Sequence, residues 1–567
     1  MKPTFKLNGN ILTVENSLFS FDFPYIESAA SYDITPKSRS AAYTEIRAKR
    51  QNGSEVAYQM WDDIPVIRVT DDSESCLFKL HGDHWLLRRI NLNAFTDEVD
   101  TLTTVNDYTL LYRGIQGKLK GDIFFFEDPL SEDAYVLISE TPDHVRGELE
   151  IVEHRALTDS PLVLKNGGYP VVMGKCKRGE CEALCRAYFR HANDCPGLVT
   201  MSNTWGDCHS AERVCESFIQ KEIEVAGEIG LDIVQIDDGW QAGNTLYKIG
   251  RDEKGNRVFD DPCWDLNTER FPRGIMPLAK LAESKGMKLG MWFAPSSHNC
   301  FANLERDKKV LTRGYEEYGV RFFKLDMYQA EDKAHVEKML ELLRHVYSFG
   351  DDVSVQMDIT RYDRLNYLCG REYGTLFVEN RYTRYANAFP HRALRNLWDI
   401  SRYQPSNRFQ FEMINPDLYT ENYAPDDVLA PRFYTQDYMF AVVMLSNPLF
   451  WMELQFLSDE RRAELAPIMS VWKEHRDVLC KADVAPIGER PTGCSHTGFY
   501  VSTDGKPQYA LLFRELTNRD TATYQLPTEV REVELLYSNG DVSVRAEGKA
   551  LEVKFSAARS YAFLKLK

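Results

Sequence analysis

The sequence predicts a three-part α/β protein built on a central (β/α)8 barrel. An N-terminal β-sandwich precedes the barrel and a small C-terminal β-sandwich follows it. Three observations carry this. The chain has 567 residues, too many for one hydrophobic core. From Val199 onward, strand-like and helix-like runs alternate in the number and length of eight βα units. On both flanks the texture is different: short alternating runs broken by turn residues, with little helical periodicity.

In chain order, residues 1–175 form the expected N-terminal sandwich. Runs such as Ile11 to Val14 and Tyr135 to Ile138 alternate in polarity, and Asn52-Gly53 and Gly121-Asp122 are turn signals. Residues 176–197 read as a helical bridge, because Cys181, Leu184, Cys185 and Tyr188 fall at i, i+3, i+4, i+7. Residues 198–480 are the barrel. Its strands are expected at Val199 to Trp205, Ile233 to Asp238, Lys288 to Pro295, Phe322 to Tyr328, Val353 to Thr360, Thr375 to Tyr382, Phe409 to Pro416 and Leu449 to Leu454. Helices are expected at Ala211 to Ile229, Ile275 to Lys285, Leu304 to Tyr318, Lys333 to Tyr347, Arg392 to Arg402 and Asp459 to Val478. Residues 484–567 return to short strands, with Ser538-Asn539-Gly540 as a hairpin turn.

Composition narrows the function classes. With 68 basic against 85 acidic residues the net charge is −17, which argues against nucleic acid and anionic membranes as partners. The N-terminus carries no apolar signal core, and no run approaches the ~18 apolar residues of a membrane span. A cytoplasmic protein is the expectation. The 12 cysteines lack framework spacing: Cys176, Cys181 and Cys185 cluster and Cys208 and Cys215 follow, but none forms a CxxC. They are expected to be reduced structural thiols rather than a zinc site.

In such a barrel, chemistry gathers at the C-terminal ends of the strands. Those ends supply Trp205 and Asp207, then Asp237, Asp238 and Trp240, then Trp292, then Lys324 and Asp326, then Asp358 and Arg361. The last strands add Glu379, Asn380 and Arg381, then Glu412 and Asn415. Acids, indoles and a lysine facing one crevice are too polar for a packed core. The pattern suits glycoside cleavage, in which two carboxyl groups flank the anomeric carbon, one ionised and attacking, the other holding a proton. Asp326 is the candidate nucleophile. Lys324, two residues earlier, points to the same face and would keep it ionised. Asp237 and Asp238 are candidate acceptors for sugar hydroxyls, and Trp205, Trp240 and Trp292 candidate apolar walls.

The same residues resemble the α-galactosidase (melibiase) families of glycoside hydrolases. The nearest likeness is to the multi-domain family that also holds α-N-acetylgalactosaminidases and the plant raffinose synthases. The matching motifs are Ile236-Asp237-Asp238-Gly239-Trp240, Trp264-Asp265 with Phe271-Pro272-Arg273-Gly274, Gly286 to Pro295, and Lys324-Leu325-Asp326-Met327. The resemblance runs from Trp205 to Tyr328. It implies Asp326 as nucleophile, Asp237 and Asp238 as sugar-hydroxyl binders and Lys324 as a further binder. Beyond Tyr328 the chain departs from the pattern. Ala294 stands where family members often carry an acid. The family's acid/base aspartate closes strand six in a Ser-Asp-rich motif, whereas this strand ends Phe377-Val378-Glu379-Asn380-Arg381-Tyr382. Glu379 is the nearest acid and the preferred acid/base. Asp399 and Asp358 are the alternatives, and Asn380 could occupy the family's aspartate position.

The expected activity is that of a retaining exo-α-glycoside hydrolase, α-galactosidase-like, working through a glycosyl-aspartate with no metal or cofactor. Asp326 and Glu379 are its catalytic pair. Asp237, Asp238, Trp240, Lys324, Trp205, Trp292, Asp358 and Arg381 are its candidate sugar contacts. The expected partner is a small carbohydrate, and a homo-oligomer is compatible with the sequence. Two other readings stand beside it: an α-galactosyl transferase of raffinose-synthase type, and a catalytically silent sugar-binding relative.

Overall fold

A computed structural model describes residues 4–16, 19–35, 41–71, 75–78, 85–93, 105–112, 117–151, 162–192, 197–207, 210–243, 253, 261–361 and 363–567. Cys208 lies outside them. Eight parallel strands close into a barrel, as the alternation predicts. They are β1 (Met201–Asn203), β2 (Ile233–Ile236), β3 (Lys288–Phe293), β4 (Phe322–Leu325), β5 (Ser354–Asp358), β6 (Thr375–Phe377), β7 (Phe409–Met413) and β8 (Asn447–Phe450). β1 pairs with both β2 and β8, which completes the ring. Gly206 sits just past β1, where a Cβ would fall 2.1 Å from the Trp451 carbonyl. Only a residue without a side chain lets the β1 and β8 ends approach so closely.

Helices on the outside follow the apolar periodicity. Glu216–Ile229, Met276–Ser284, Leu304–Glu316, Lys333–Tyr347, Pro390–Ile400 and Asp459–Lys481 fall within or beside the expected spans. Gln436–Val443 is an additional helix. Every residue of it is buried, so it has no polar face and shows no amphipathic period in the sequence. Between β5 and β6 no helix occurs among the described residues. The N-terminal region covers the barrel there instead: Asn366 Nδ2 donates to Thr141 O and Asp143 Oδ1, both at 2.8 Å, and Arg371 pairs with Glu140 at 2.6 Å.

The N-terminal region is a nine-stranded antiparallel sheet packed on three- and four-stranded sheets. Its strand Ile123–Glu127 is buried at every position, since one face joins the sandwich core and the other the barrel-side core. The run Ile-Phe-Phe-Phe therefore does not alternate. The C-terminal region is a five-stranded sheet against a three-stranded one. Here the structure corrects one expectation. Val533–Ser538 pairs with Ser560–Leu566, while Val542–Glu547 pairs with Ala550–Phe555. Ser538-Asn539-Gly540 is thus a crossing between sheets, not a hairpin turn. Among the described residues, no helix is long and apolar enough to cross a membrane.

Candidate active site

Asp326 leaves the end of β4 with its backbone N–H still donating to Phe293 O, 3.1 Å away. Its carboxylate accepts from three directions. The Trp292 indole N–H donates to Oδ2 at 3.0 Å, and the Met327 backbone N–H donates to Oδ1 at 2.5 Å. Arg364 Nη1 lies 3.0 Å from the same Oδ1. Burial works to raise this carboxyl, but the charges of Arg364 and Lys324 and the two N–H bonds outweigh it. Asp326 is held below the ordinary aspartate range, so it is ionised at neutral pH.

Lys324 lies one pleat repeat behind Asp326. Its ammonium donates to Asp237 Oδ2 at 3.0 Å and sits 5.0 Å from the centres of the Phe377 and Trp451 rings. Burial opposes its charge, but Asp237, Asp326 and Asp358 together raise its pKa, so the cation persists. Asp237 closes β2 and also accepts from Asn203 Nδ2 at 2.7 Å. Asp238 is fully buried; its backbone N–H donates to Asp237 Oδ1 at 2.9 Å, and its own carboxylate accepts from Gln241.

Asp358 ends β5 and joins this group through Arg364, whose Nη1 contacts Asp358 Oδ1 as well as Asp326 Oδ1. Two oxygens on one nitrogen lie no more than roughly 6 Å apart. Asp358 also accepts from the Thr360 N–H at 3.0 Å and hydroxyl at 2.7 Å. These contacts tie Asp358 to its own loop as the counter-charge of Arg364. Arg364 itself escaped sequence reasoning. It lies six residues past Asp358 in a stretch with no periodicity, and Arg361 was the basic residue read at that strand end. Arg361 is instead 41% exposed in its side chain, beside Asp363.

The indoles divide by role. Trp292 is fully buried and turns its N–H onto Asp326. Trp240 is also fully buried, donates to the Trp292 carbonyl at 2.9 Å and stacks on Trp264; it backs the site instead of walling it. Trp205 is only partly buried, and packs against the inner cluster that contains Phe377, Tyr382 and Trp451.

Glu379 is placed differently from the Asp326 group. Its Oε2 accepts from Arg381 Nε at 2.7 Å, and its Oε1 from Asn396 Nδ2 on the following helix at 2.5 Å. Burial pushes its carboxyl up to about 7. Glu412, at the end of β7, accepts the backbone N–H groups of Asn380 and Arg381 at 2.5 and 3.0 Å. Burial and the Glu379 charge raise Glu412 well above its usual value. Glu379, Arg381 and Glu412 share a cavity of about 20 Å³ with Phe389 and Met413, room for one water and not a sugar. Asn380 adopts a left-handed backbone at φ 57° and accepts from the Tyr382 hydroxyl at 2.6 Å. Asp399 is placed away from the strand ends: it pairs with Arg490 of the C-terminal region at 2.8 and 2.5 Å, a tie between barrel and sandwich.

With this geometry in place, comparison with known proteins is informative. The family model described as alpha galactosidase A matches residues 206–366, the half-barrel that carries Asp237, Lys324, Asp326 and Arg364. Alpha-galactosidase 2 of Pediococcus pentosaceus is 34% identical over 98 residues, 17% of this chain and 12% of that protein. An alpha-galactosidase of Oryza sativa subsp. japonica is 26% identical over 133 residues, 22% of this chain and 28% of that protein. The aligned segments thus span well under two thirds of the curated relatives they match. Among solved structures, the family 36 alpha-galactosidase AgaA of Geobacillus stearothermophilus, in complex with raffinose, superposes with a TM-score of 0.64 at 12% identity. That match covers 96% of this chain and 87% of that one. A family 97 glycoside hydrolase of a Pseudoalteromonas species, bound to acarbose, gives a TM-score of 0.53 at 12% identity over 99% and 98% of the two chains. At such identities the superpositions establish the fold. The family match is thus seated on the strand ends that carry the buried acids and lysine: over residues 206–366 the chain is similar to the alpha-galactosidase family.

Proposed function

We propose that this chain is a retaining, exo-acting α-glycoside hydrolase with an α-galactosidase-like preference. One observation carries the reading: at the C-terminal end of β4, inside the family-matched segment, Asp326 is a buried yet ionised carboxylate under two cations. Asp326 attacks the anomeric carbon and forms a glycosyl ester. Glu379, protonated below about pH 7, donates to the leaving oxygen and then accepts a proton from the incoming water. The Glu379 carboxyl must turn from Asn396 toward the strand ends to do so. Asp237 and Lys324 meet sugar hydroxyls, and Trp205 offers a ring face. AgaA complexes with raffinose and stachyose point to an α-galactosyl oligosaccharide as the substrate class.

A panel of aryl α-glycosides tests this. Turnover of the α-galactoside is expected, and loss of it in Asp326→Ala. Azide should restore part of that loss and give a β-configured glycosyl azide. Full activity in Asp326→Ala excludes the nucleophile.

A second reading is a sugar-binding relative without catalysis. It is favoured by Glu379, whose two oxygens are engaged by Asn396 and Arg381 beside a cavity too small for a sugar. If no glycoside turns over while calorimetry detects sugar binding that Asp237→Ala abolishes, this second reading replaces the first.

A further inference from the structure

The two oxygens of Asp326 are not equivalent. Oδ1 accepts from the Met327 N–H at 2.5 Å and from Arg364 at 3.0 Å, whereas Oδ2 accepts only from the Trp292 indole at 3.0 Å among the described residues. An oxygen with one neutral hydrogen bond keeps a lone pair for attack. An oxygen under a guanidinium and a backbone N–H is the better place for charge to settle. Met327 holds a left-handed backbone, φ 60°, unfavourable for a non-glycine residue, directly beside the N–H that donates to Oδ1. Arg364 is buried at 2% exposure and is braced from behind, with Asp358 Oδ1 on the same Nη1 and the Tyr328 ring 5.8 Å from its Cζ.

We infer that Oδ2 is the attacking oxygen and that Arg364, with the Met327 N–H, is a positioning device for release of the covalent intermediate. The inference rests on the glycosidase reading above. In the first step, Oδ2 gives an electron pair to the anomeric carbon. The bond from that carbon to the leaving oxygen breaks, and the leaving oxygen takes the Glu379 proton. In the second step, water attacks the anomeric carbon and passes a proton to Glu379. The C–Oδ2 bond breaks and its electron pair returns to the carboxylate. Within the ester, Oδ1 is a carbonyl oxygen with little charge; on release it recovers its share of the negative charge beneath Arg364. An interaction stronger in that transition state than in the ester speeds the release. The same contact stabilises the free carboxylate before attack, so it gives the first step no advantage.

The test is Arg364→Met, assayed with an aryl α-galactoside bearing a good leaving group. Losing a charge-assisted hydrogen bond should slow release roughly ten- to hundredfold. The expected result, at a pH above the acid limb of kcat/KM, is a kcat and KM that fall together with kcat/KM nearly unchanged; the limb itself moves to higher pH, because Arg364 helps to ionise Asp326. A burst of phenolate equal to the enzyme concentration should precede the steady state, and the intact protein should gain the mass of one hexosyl unit. A merely structural role predicts a fall in kcat/KM with no burst and no trapped ester, and that result overturns the inference. Should Arg364→Met fail to fold, Arg364→Lys keeps a charge beside Asp358 and carries the same comparison: a burst supports the inference, its absence overturns it. If the wild-type chain neither turns over nor forms an ester, the glycosidase reading itself falls. Wild-type turnover with no shift in the variants removes only the role of Arg364.

Discussion

Replacing Lys324 by Met separates what the buried lysine does for stability from what it does for chemistry. Its ammonium lies 3.0 Å from Asp237 Oδ2 and both side chains are 3% exposed. At an effective dielectric of about 20, charges at that separation attract by about 5–6 kcal/mol. Much of this is offset by desolvation, so the pair adds little over a well-packed apolar pair. Removing one partner is another matter: it strands Asp237 as a buried anion, which costs about 3–5 kcal/mol. The double variant Lys324→Met/Asp237→Asn removes both charges and should recover most of that loss. Urea unfolding followed by the fluorescence of the packed barrel indoles Trp240, Trp264 and Trp292 reads the difference. Activity should not recover with stability, because the double variant still lacks both of the proposed sugar contacts. The Lys324 charge also helps hold Asp326 below its usual range. In the single variant the acid limb of the kcat/KM profile should therefore move to higher pH. A double variant no more stable than the single one refutes the pairing argument, and an unmoved acid limb refutes the role of Lys324 in ionising Asp326.

Two further outcomes follow from the same geometry. Glu379 is protonated below about 7 and loses its proton above, so kcat/KM for glycosides with poor leaving groups should fall as pH rises through about 7. Glu379→Gln should abolish that basic limb and spare only activated aryl glycosides; a limb that persists in the variant moves the acid elsewhere. Asp399→Asn should weaken the tie to Arg490 and lower the stability of the C-terminal region by about 0.5–1 kcal/mol, the arginine being half-exposed, while turnover stays unchanged. Loss of turnover in a folded Asp399→Asn protein would instead make Asp399 the acid.

Much of the barrel was legible because each strand end is marked by a change of residue type. Phe322-Phe323-Lys324-Leu325-Asp326 passes from rings to a carboxylate within one strand, and Asp237-Asp238-Gly239-Trp240 does the same after β2. Periodicity failed where burial is uniform. Gln436–Val443 is buried on all sides, and Ile123–Glu127 is buried on both faces, so neither shows the half-polar pattern that distinguishes helix from strand. Arg364 was illegible for another reason. The β5–β6 connection is irregular, and its shape depends on contacts of Asn366 and Arg371 with residues more than two hundred positions earlier. Local sequence carries no signal of such contacts. From the sequence alone Asp399 is a possible acid, because nothing local fixes its helix face; the C-terminal Arg490 shows which way it points.

The charges gathered around Asp326 explain why the site tolerates so much buried polarity. Asp237, Asp326 and Asp358 contribute three negative charges, and Lys324 and Arg364 two positive ones. Adjacent members alternate in sign, so each buried ion has a counter-ion and none carries the full penalty of isolation. Among these five groups the sum, −3 + 2 = −1, leaves a net negative charge, and the buried Asp238 carboxylate lies beside them. The substrate proposed for the site is neutral, but the transition state of glycoside cleavage carries positive charge at the anomeric carbon. A fixed net charge of −1 with its free lone pair on Asp326 Oδ2 does little for the neutral sugar and much for that cation, and such a difference is what lowers a barrier. Of the three acids, Asp326 is the one whose side chain is more than 10% exposed, at 11%, so it is the carboxylate that an incoming sugar can reach.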